Sequence, residues 1–354
     1  MRVVVVSARL AAAVLVLAVL ASALWSGVKV DRHLTFEGAP LVQGAWGAEE
    51  GQFGQGLGRD GLTYGPRSFA VDQERRVYVL DWANQRLQRF DATGRLTGFL
   101  PLTGAGGMSL QGAEDVVADG EGGLWLADNL RGRLAYFQPG GQVHELRSFG
   151  EVEGALLERT AQLAPLQRGV VWSQAVVTPE EAVYQVRTVG GYGEPARDVY
   201  RASLSKTGDG GPLPIALACG DSEVYLLLPL PGEQGAGLVQ RHGLDGKLVK
   251  AWKAPAMPEA GLRQTPELLG VDAKGRTYLG TWAKGVLHLR VFDPAGMLLA
   301  HQALPAGREA RTYIQARVDS GGNLYVADLS AKGYSIARYR QVSRWSLHPS
   351  WVRP

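Results

Sequence analysis

The stretch that decides the fold begins at Phe69 and contains residues 69–72 (FAVD), 77–81 (VYVLD), 86–90 (RLQRF) and Gly94. The same landmarks return 47 residues later as 116–119 (VVAD), 124–128 (LWLAD), 133–137 (RLAYF) and Gly141. Each apolar run is short, rich in Val, Leu, Tyr and Phe, and bounded by Gly, Asp or Pro, which is typical of β-strands. The chain therefore repeats a small β unit.

The unit is predicted to occur six times. An aromatic residue on the second strand marks each copy, at Tyr78, Trp125, Tyr184, Tyr225, Tyr278 and Tyr325. The copies around Tyr184 (176–178 with 183–184) and Tyr225 (217–219 with 224–225) are weak. In the first copy the predicted strands are 68–72, 77–81, 86–91 and 96–102. A period of roughly 40–50 residues with four short strands indicates radially repeated blades. We predict an all-β, six-bladed β-propeller of four-stranded blades.

A recurring aspartate closes the first strand of four copies, at Asp72, Asp119, Asp272 and Asp319. Each follows an apolar triplet and begins a turn of four residues. An Asp side chain accepts hydrogen bonds from backbone a few residues ahead, which stabilises such a turn. No Asp-x-Asp-x-Asp-Gly spacing of a calcium loop is present. These aspartates are therefore predicted to be structural.

Composition and charge exclude several classes of protein. The 354 residues include 47 Gly and 18 Pro, so turns are frequent. A single cysteine, Cys219, excludes a disulfide framework and a cysteine-based zinc site, and we expect it to be a buried small residue. Residues 1–30 hold three basic residues and no acidic ones, which leaves 34 of each sign in the remainder. A net-neutral body does not favour nucleic-acid binding.

The amino terminus is predicted to be a targeting segment. Arg2 and Arg9 flank a short apolar start, and residues 10–25 carry no charge. Such a pattern indicates an export signal, so the body of the chain is expected outside the cytoplasm. Two alternatives remain: cleavage after Ala23 within Ala21-Ser22-Ala23, which secretes the chain, or an uncleaved anchor helix reaching Val30.

This pattern divides the chain into four predicted parts: a signal peptide or anchor helix over 1–30, a linker over 31–40, a propeller over 41–345 and a tail over 346–354. We expect a monomer that sits close to the membrane when anchored.

The repeats resemble the NHL repeat. The resemblance rests on Pro66–Asp72 (PRSFAVD), 77–81 (VYVLD), 84–90 (NQRLQRF) and Gly94, with Trp46-Gly47 and Gly51-Gln52-Phe53 as the lead-in. It is strong in copies one and two, fair in five and six and poor in three and four, and it spans about 41–341. It implies a six-bladed propeller in which residues 41–47 supply the outer strand of the last blade. The family includes protein- and RNA-binding modules, and related propellers are lactonases or amidating lyases.

The two faces of the predicted disc differ. The connections between strands one and two, and between strands three and four, are tight, whereas the opposite face carries the longer loops. Functional residues collect on longer loops held by a rigid scaffold. We therefore predict a binding surface on the long-loop face that suits a glycan, a peptide or an anionic polymer. Its candidate residues are Trp82, Asn84, Arg86, Asn129, Arg131, Trp282, Lys284, Lys332 and Tyr334.

An enzymatic alternative places oxygen ligands at the mouth of the central channel. Carboxylates and amides from several first strands form the donor set that calcium prefers, as the resemblance to lactonase-like propellers implies. These candidates are Glu114, Asp115, Gln174, Glu267 and Gln315. No histidine lies on a predicted first strand, and no G-x-S-x-G elbow marks a serine nucleophile.

The sequence favours a binding module without a cofactor, whose partner is a protein, peptide or glycan at the cell surface. The alternative is a calcium-dependent hydrolase resembling lactonase-like propellers. A third reading is a purely structural surface protein whose middle blades have diverged.

Overall fold

The computed structural model describes most of the chain from Val28 to Pro349. The chain divides into two compact units, one formed by Gly38–Arg340 and the other described at 28–37 and 341–349. The described ranges are 28–57, 63–105, 108–129, 131–139, 143–148, 162–177, 182–190, 195–204, 216–220, 222–230, 232–256, 266–305 and 315–349.

The larger unit is a six-bladed propeller of four-stranded antiparallel sheets, as the sequence predicted. Each blade has an inner strand at the central channel, then a second, a third and an outer strand. Blade 1 is Ser68–Val71, Val77–Asp81, Arg86–Phe90 and Leu96–Pro101. Blade 2 is Ala113–Ala118, Leu124–Asp128, Arg133–Phe137 and Val143–Ser148. Blade 3 is Gln162–Pro165, Val170–Val177, Ala182–Val189 and Arg197–Leu204.

The remaining blades continue the ring, and the last one takes its outer strand from the start of the described chain. Blade 4 is Ala216–Cys219, Glu223–Pro229, Gly237–Gly243 and Leu248–Ala254. Blade 5 is Glu267–Val271, Thr277–Ala283, Val286–Phe292 and Leu298–Pro305. Blade 6 is Ala316–Val318, Leu324–Ser330 and Gly333–Pro349, with Val28–Ala45 as its outer strand. The predicted closure by residues 41–47 is therefore confirmed, apart from the last two residues.

The long-loop face, which carries the connections between blades, also holds two short strand pairs. Gly56–Leu57 pairs with Thr63–Tyr64, and Thr103–Ala105 pairs with Met108–Ser109. The opposite face, here called the tight-turn face, carries the turns between inner and second strands and between third and outer strands.

Blade 3 corrects the predicted strand register. Residues 176–178 were expected on its inner strand, but Val176 and Val177 lie on the second strand. Tyr184 was expected on the second strand and lies on the third. The aromatic landmark is instead Trp172, again 47 residues after Trp125. The inner strand, Gln162–Pro165, escaped detection because Leu166 stands where blades 1, 2, 5 and 6 have the turn aspartate.

The turn aspartates are structural, as predicted. Asp319 Oδ1 accepts the backbone N–H of Asn323 (2.8 Å), while its Oδ2 accepts the hydroxyl of Tyr325 (3.1 Å). The same hydrogen bond from the aromatic landmark to the aspartate recurs in three other blades. The hydroxyl of Tyr78 donates to Asp72 at 3.1 Å and that of Tyr278 to Asp272 at 2.9 Å. In blade 2 the indole N–H of Trp125 donates to Asp119 at 2.9 Å. Burial and the nearby Asp72 carboxylate raise the pKa of Tyr78 to about 12. The aromatic landmark thus fixes the aspartate six residues before it, which locks the tight turn.

The core lies between blades rather than within them. Leu80 and Leu126 share one cluster between blades 1 and 2. Phe69 and Val79 of blade 1 pack with Ile336 of blade 6, which closes the ring. Because each sheet buries both faces against neighbours, no blade has a core of its own.

The smaller unit is described only at Val28–Glu37 and Gln341–Pro349, which belong to neighbouring strands. The hydroxyl of Thr35 donates to the carbonyl of Val342 at 3.2 Å. The predicted linker, 31–40, lies within the first of these strands, and residues 346–349 of the predicted tail, 346–354, lie within the second. The rest of that tail falls outside the described part of the chain. The predicted anchor helix falls mostly on residues 1–27, outside the described part of the chain. No helix in the described part is long and apolar enough to cross a membrane.

Candidate functional site at the central channel

An arginine spans the central channel. Arg317, on the inner strand of blade 6, directs its guanidinium to the inner strands of blades 1, 2 and 3. Its Nη2 donates to Asp115 Oδ1 at 2.5 Å, and other guanidinium nitrogens lie 3.3 Å from the carbonyl oxygens of Phe69 and Leu163. One side chain therefore connects four of the six blades across the channel.

Asp115 is the acceptor at the centre of this network. Besides Arg317, its Oδ1 accepts the hydroxyl of Ser68 (2.6 Å) and the backbone N–H of Val116 (2.8 Å). Its Oδ2 accepts the N–H of Leu163 at 2.9 Å. The side chain of Asp115 is only 3% exposed, and its charge is compensated by the partly buried Arg317 and by three further donors.

The remaining blades make room for Arg317. At equivalent positions, each opposite the aromatic landmark of its blade, the inner strands carry Ala70, Val117, Leu163, Ala218 and Gly270. A single arginine among apolar residues at equivalent positions of the inner strands is a sequence signal of a bridging cation. The sequence analysis did not use it, because Ala316-Arg317-Val318 also fits an ordinary strand.

Below this network, toward the tight-turn face, the channel holds a cavity of about 130 Å³. All six inner strands line it, and Arg317, Asp319 and Cys219 contribute to its wall. Burial raises the pKa of the Cys219 thiol, which favours its protonated form. Cys219 was predicted to be a buried small residue, and the structure places it half-buried at the wall of this cavity.

Toward the long-loop face, a second polar cluster borders the channel mouth. Arg67 Nη1 donates to Glu114 Oε1 at 2.8 Å, and its guanidinium lies 4.3 Å from the ring centre of Trp82. The amide of Asn129 donates to Glu114 Oε2 at 2.9 Å. Both charged side chains keep some solvent contact, at 16% and 19% exposure. Glu114 and Asp115 point to different partners, as expected for adjacent strand residues.

Several residues predicted for the binding surface hold loops in place instead. Buried Arg86 donates to Asp81 (3.0 Å) and to the carbonyl oxygens of Ala48 (2.9 Å) and Glu49 (2.8 Å), which fixes the lead-in segment before blade 1. The amide of Asn84 donates to the carbonyl of Gly47 at 2.9 Å.

Two aromatic candidates are buried. Tyr334 is 1% exposed and packs edge-on against Phe53. Trp282 is 3% exposed, and its indole N–H donates to Glu267 Oε2 at 3.0 Å. Trp82 is half-buried, with its indole N–H donating to the carbonyl of Gly65 at 2.7 Å. The tryptophans and Tyr334 are therefore mainly packing residues.

Three predicted binding residues are exposed: Arg131, Lys284 and Lys332. Arg131 also contacts Asp128 Oδ2 at 3.4 Å. Each follows the second strand of its blade, in blades 2, 5 and 6. The accessible part of the predicted surface is thus basic rather than aromatic.

The predicted oxygen ligands do not converge. Glu114, Asp115 and Glu267 each accept hydrogen bonds from other side chains, and Gln315 is half-buried with its carbonyl bonded to the N–H of Ala327 (2.8 Å). Gln174 was predicted on an inner strand but lies on the second strand of blade 3, paired with Gln185. The described residues contain no group of three or more His, Cys, Asp or Glu side chains arranged for a metal. Since calcium takes six to eight oxygen ligands, this donor set does not fit it.

Comparison with known proteins supports the fold. No protein-family profile and no curated protein matches the chain by sequence. A gluconolactonase from Xanthomonas campestris is similar in structure, with a TM-score of 0.52 and 17% identity over 87% of this chain and 90% of that one. A virginiamycin B lyase from Staphylococcus aureus gives a TM-score of 0.46 and 9% identity over 88% of this chain and 100% of that one. The similarity to the gluconolactonase shows the six-bladed propeller fold alone.

Proposed function

We propose that the chain is an NHL-type propeller that acts outside the cytoplasm as a binding module tethered to the membrane. Its partner is an acidic peptide, protein surface or glycan that contacts the long-loop face. The targeting pattern of residues 1–30 supports the location. The rigid ring and the exposed basic residues of the long-loop face support the binding role.

The observation that carries this proposal is the ion pair between Asp115 and Arg317. In a calcium-dependent hydrolase the channel carboxylates hold the metal that polarises the substrate. Here the guanidinium of Arg317 forms an ion pair with Asp115. Arg67 forms an ion pair with the adjacent Glu114. A calcium ion would have to displace both arginines. The channel is therefore proposed to be a structural bridge.

Calcium titration of the full chain tests this part of the proposal. We expect no heat of binding and no rise in melting temperature with added Ca²⁺, since only binding to the native state raises stability. Removal of calcium by a chelator should likewise leave the melting temperature unchanged. Saturable binding that Asp115→Asn abolishes, together with hydrolysis of a lactone substrate, would overturn the binding-module proposal in favour of the hydrolase.

Binding of an acidic probe tests the role of the long-loop face. We expect the full chain to bind a heparin oligosaccharide or a polyglutamate peptide, with affinity that falls as salt rises. The triple variant Arg131→Ala, Lys284→Ala, Lys332→Ala should lose this binding. A matched triple on the tight-turn face, Arg95→Ala, Lys247→Ala, Lys274→Ala, should retain it. Equal losses in both variants, or no binding of either probe, would contradict an acidic partner.

A further inference from the structure

Arg290, on the third strand of blade 5, is a buried cation. The residue is 2% exposed, and its Nη1 donates to the carbonyl oxygen of Pro255. Its Nε and Nη2 are also buried and have no hydrogen-bond partner among the described residues. Burial lowers the pKa of Arg290, yet a guanidinium keeps its proton at neutral pH. A buried charge is strongly unfavourable unless an opposite charge and hydrogen bonds compensate it.

The comparable arginines of blades 1 and 2 have carboxylate partners. Arg86 lies 3.0 Å from Asp81 Oδ2, and Arg133 lies 3.2 Å from Asp128 Oδ2. In blades 4 and 5 every acidic residue that the structure describes bonds to other groups, namely Glu223, Glu233, Asp245, Glu267, Asp272 and Asp293. The described part of these blades therefore supplies no counter-ion to Arg290.

The charge of Arg290 is an exception within the repeat. Arg290 pairs with Leu279, which belongs to the apolar cluster shared by blades 4 and 5. In blade 1 the same register position holds Gln88, whose Nε2 donates to the carbonyl of Gln52 at 2.6 Å, in the segment before that blade. Arg290 makes the corresponding bond to Pro255, so a neutral amide suffices for this contact. The residues of the other five blades at this position are uncharged: Gln88, Ala135, Val186, Gln240 and Ala337.

The seam between blades 4 and 5 holds further buried nitrogen atoms. The indole N–H of Trp252, in blade 4, and Nδ1 of His288, on the same face of blade 5 as Arg290, have no partner in the described part of the chain. The guanidinium carbon of Arg290 lies 6.0 Å from the ring centre of Phe292, which is at the outer limit of a cation–π contact. His301 lies opposite Arg290 in the register and is exposed, so the rim of the seam is open to ions from solvent.

We propose that Arg290 binds a small monovalent anion in the seam between blades 4 and 5. Nε and Nη2 form one edge of the guanidinium, and their N–H groups point the same way toward a single acceptor. One negative charge balances Arg290, whereas a divalent anion would leave an uncompensated charge inside the seam. A compact anion such as chloride therefore fits this edge, and its binding stabilises the ring.

Thermal unfolding of the full chain in rising chloride, at constant ionic strength with isethionate as the replacement, tests the site. We expect the melting temperature to stay flat below the dissociation constant and to rise with the logarithm of chloride concentration above it. Arg290→Gln should remove this rise. Arg133→Met is the matched control, because Arg133 also bonds a connecting carbonyl, that of Ser109, but is paired with Asp128. It should lose stability and keep the chloride-dependent rise.

A second measurement uses the wild type alone, so it stands even if Arg290→Gln does not fold. Crystals grown in bromide should show an anomalous peak at the Nε–Nη2 edge of Arg290. A chloride-dependent rise of equal size in Arg290→Gln would show a general salt effect and overturn the site. A bromide peak without any rise in solution would mean binding at crystal concentration only, and neither peak nor rise would leave the edge without an anion. Both results would overturn the proposal.

The sequence offers one competing counter-ion, Glu259, in the connection between blades 4 and 5. We expect Glu259→Gln to keep the chloride-dependent rise of the wild type. If Glu259→Gln instead creates a chloride dependence that the wild type lacks, the chain's own carboxylate neutralises Arg290 and the proposal is wrong.

Discussion

At the scale of single residues, Arg317 and Asp115 have the largest consequences for the molecule. Removing the cation of a buried ion pair leaves a carboxylate that has lost its hydration and has no partner, which is strongly destabilising. An exposed ion pair contributes little to stability. Asp115 is 3% exposed and Arg317 17%, so their ion pair behaves as a buried one. Arginine also bonds backbone carbonyl oxygens of blades 1 and 3, which a lysine with one nitrogen does not reproduce.

We predict that Arg317→Met lowers the free energy of unfolding by about 3–5 kcal/mol, because it leaves the Asp115 charge buried without a partner. Arg317→Lys should recover part of the loss. Adding Asp115→Asn to Arg317→Met should also recover part of it, since the buried charge is then removed. Urea denaturation of the wild type, Arg317→Met, Asp115→Asn and the double variant gives the coupling energy between the two positions.

Arg95→Met provides the control for this series, because the pair between Arg95 and Asp91 lies at the surface. We expect it to leave the urea midpoint almost unchanged. If Arg317→Met behaves in the same way, the channel pair is not a structural bridge and would not oppose a metal in the channel.

At the scale of strands and turns, the sequence shows the fold where local chemistry is repeated. Blades 1, 2, 5 and 6 were placed correctly because each joins a turn aspartate to an aromatic residue six positions later. Blades 3 and 4 both lack the aspartate. The apolar pattern alone placed the first two strands of blade 4 correctly, whereas in blade 3 it assigned Gln174 to the wrong strand. Apolar residues alternate along every strand of a blade, so they do not tell one strand from another. The turn aspartate stands only after the inner strand, and it therefore identifies that strand.

The site was less predictable than the strands. The channel bridge depends on Arg317 meeting Asp115 across a separation of 202 residues, which no local pattern encodes. Trp82 became a packing residue because the connection before blade 1 covers it: its ring lies against Gly56 and its indole N–H donates to the carbonyl of Gly65. The exposed cations Arg131, Lys284 and Lys332 stayed accessible because each lies at the tip of its loop. Burial of loop residues depends on neighbouring blades, and it is therefore the step that sequence alone does not supply.

Gly94 tests how the turns join one blade to the next. Its φ is +86°, and a Cβ at this position would collide with the carbonyl oxygen of Leu41 in the outer strand of blade 6. Gly232 has a similar φ of +78°, but nothing lies within 4 Å of its Cβ position. We predict that Gly232→Ala costs about 1–2 kcal/mol from the left-handed backbone alone. Gly94→Ala should cost about 1–3 kcal/mol more from the collision.

Thermal or urea unfolding of both variants separates the cost of the left-handed backbone from the cost of the collision with Leu41. Equal losses in Gly94→Ala and Gly232→Ala would mean that the turn of blade 1 can move away from blade 6 at no cost. The contact between the first and last blades would then be looser than the packing described above.

At the scale of the whole molecule, a closed ring makes the blades depend on one another. Every interface between blades is shared, so weakening one seam removes support from two blades, and the ring has no free end from which to unfold. Ile336 lies in the seam between blades 6 and 1, where the chain closes on itself, and Leu226 lies in the seam between blades 3 and 4. Both are fully buried, so truncation of either to alanine costs about 2–5 kcal/mol.

We predict that Ile336→Ala and Leu226→Ala both lower the stability of the entire ring. Hydrogen exchange of the inner-strand amides should then accelerate by the same factor in blade 1 and in blade 3 for either variant, since each 1.4 kcal/mol of lost global stability raises exchange about tenfold. Mass spectrometry of peptides covering 68–71 and 162–165 measures this ratio. Acceleration confined to the peptide beside the substitution would show that the blades open separately, and that pairing between the first and last strands does not couple the ring.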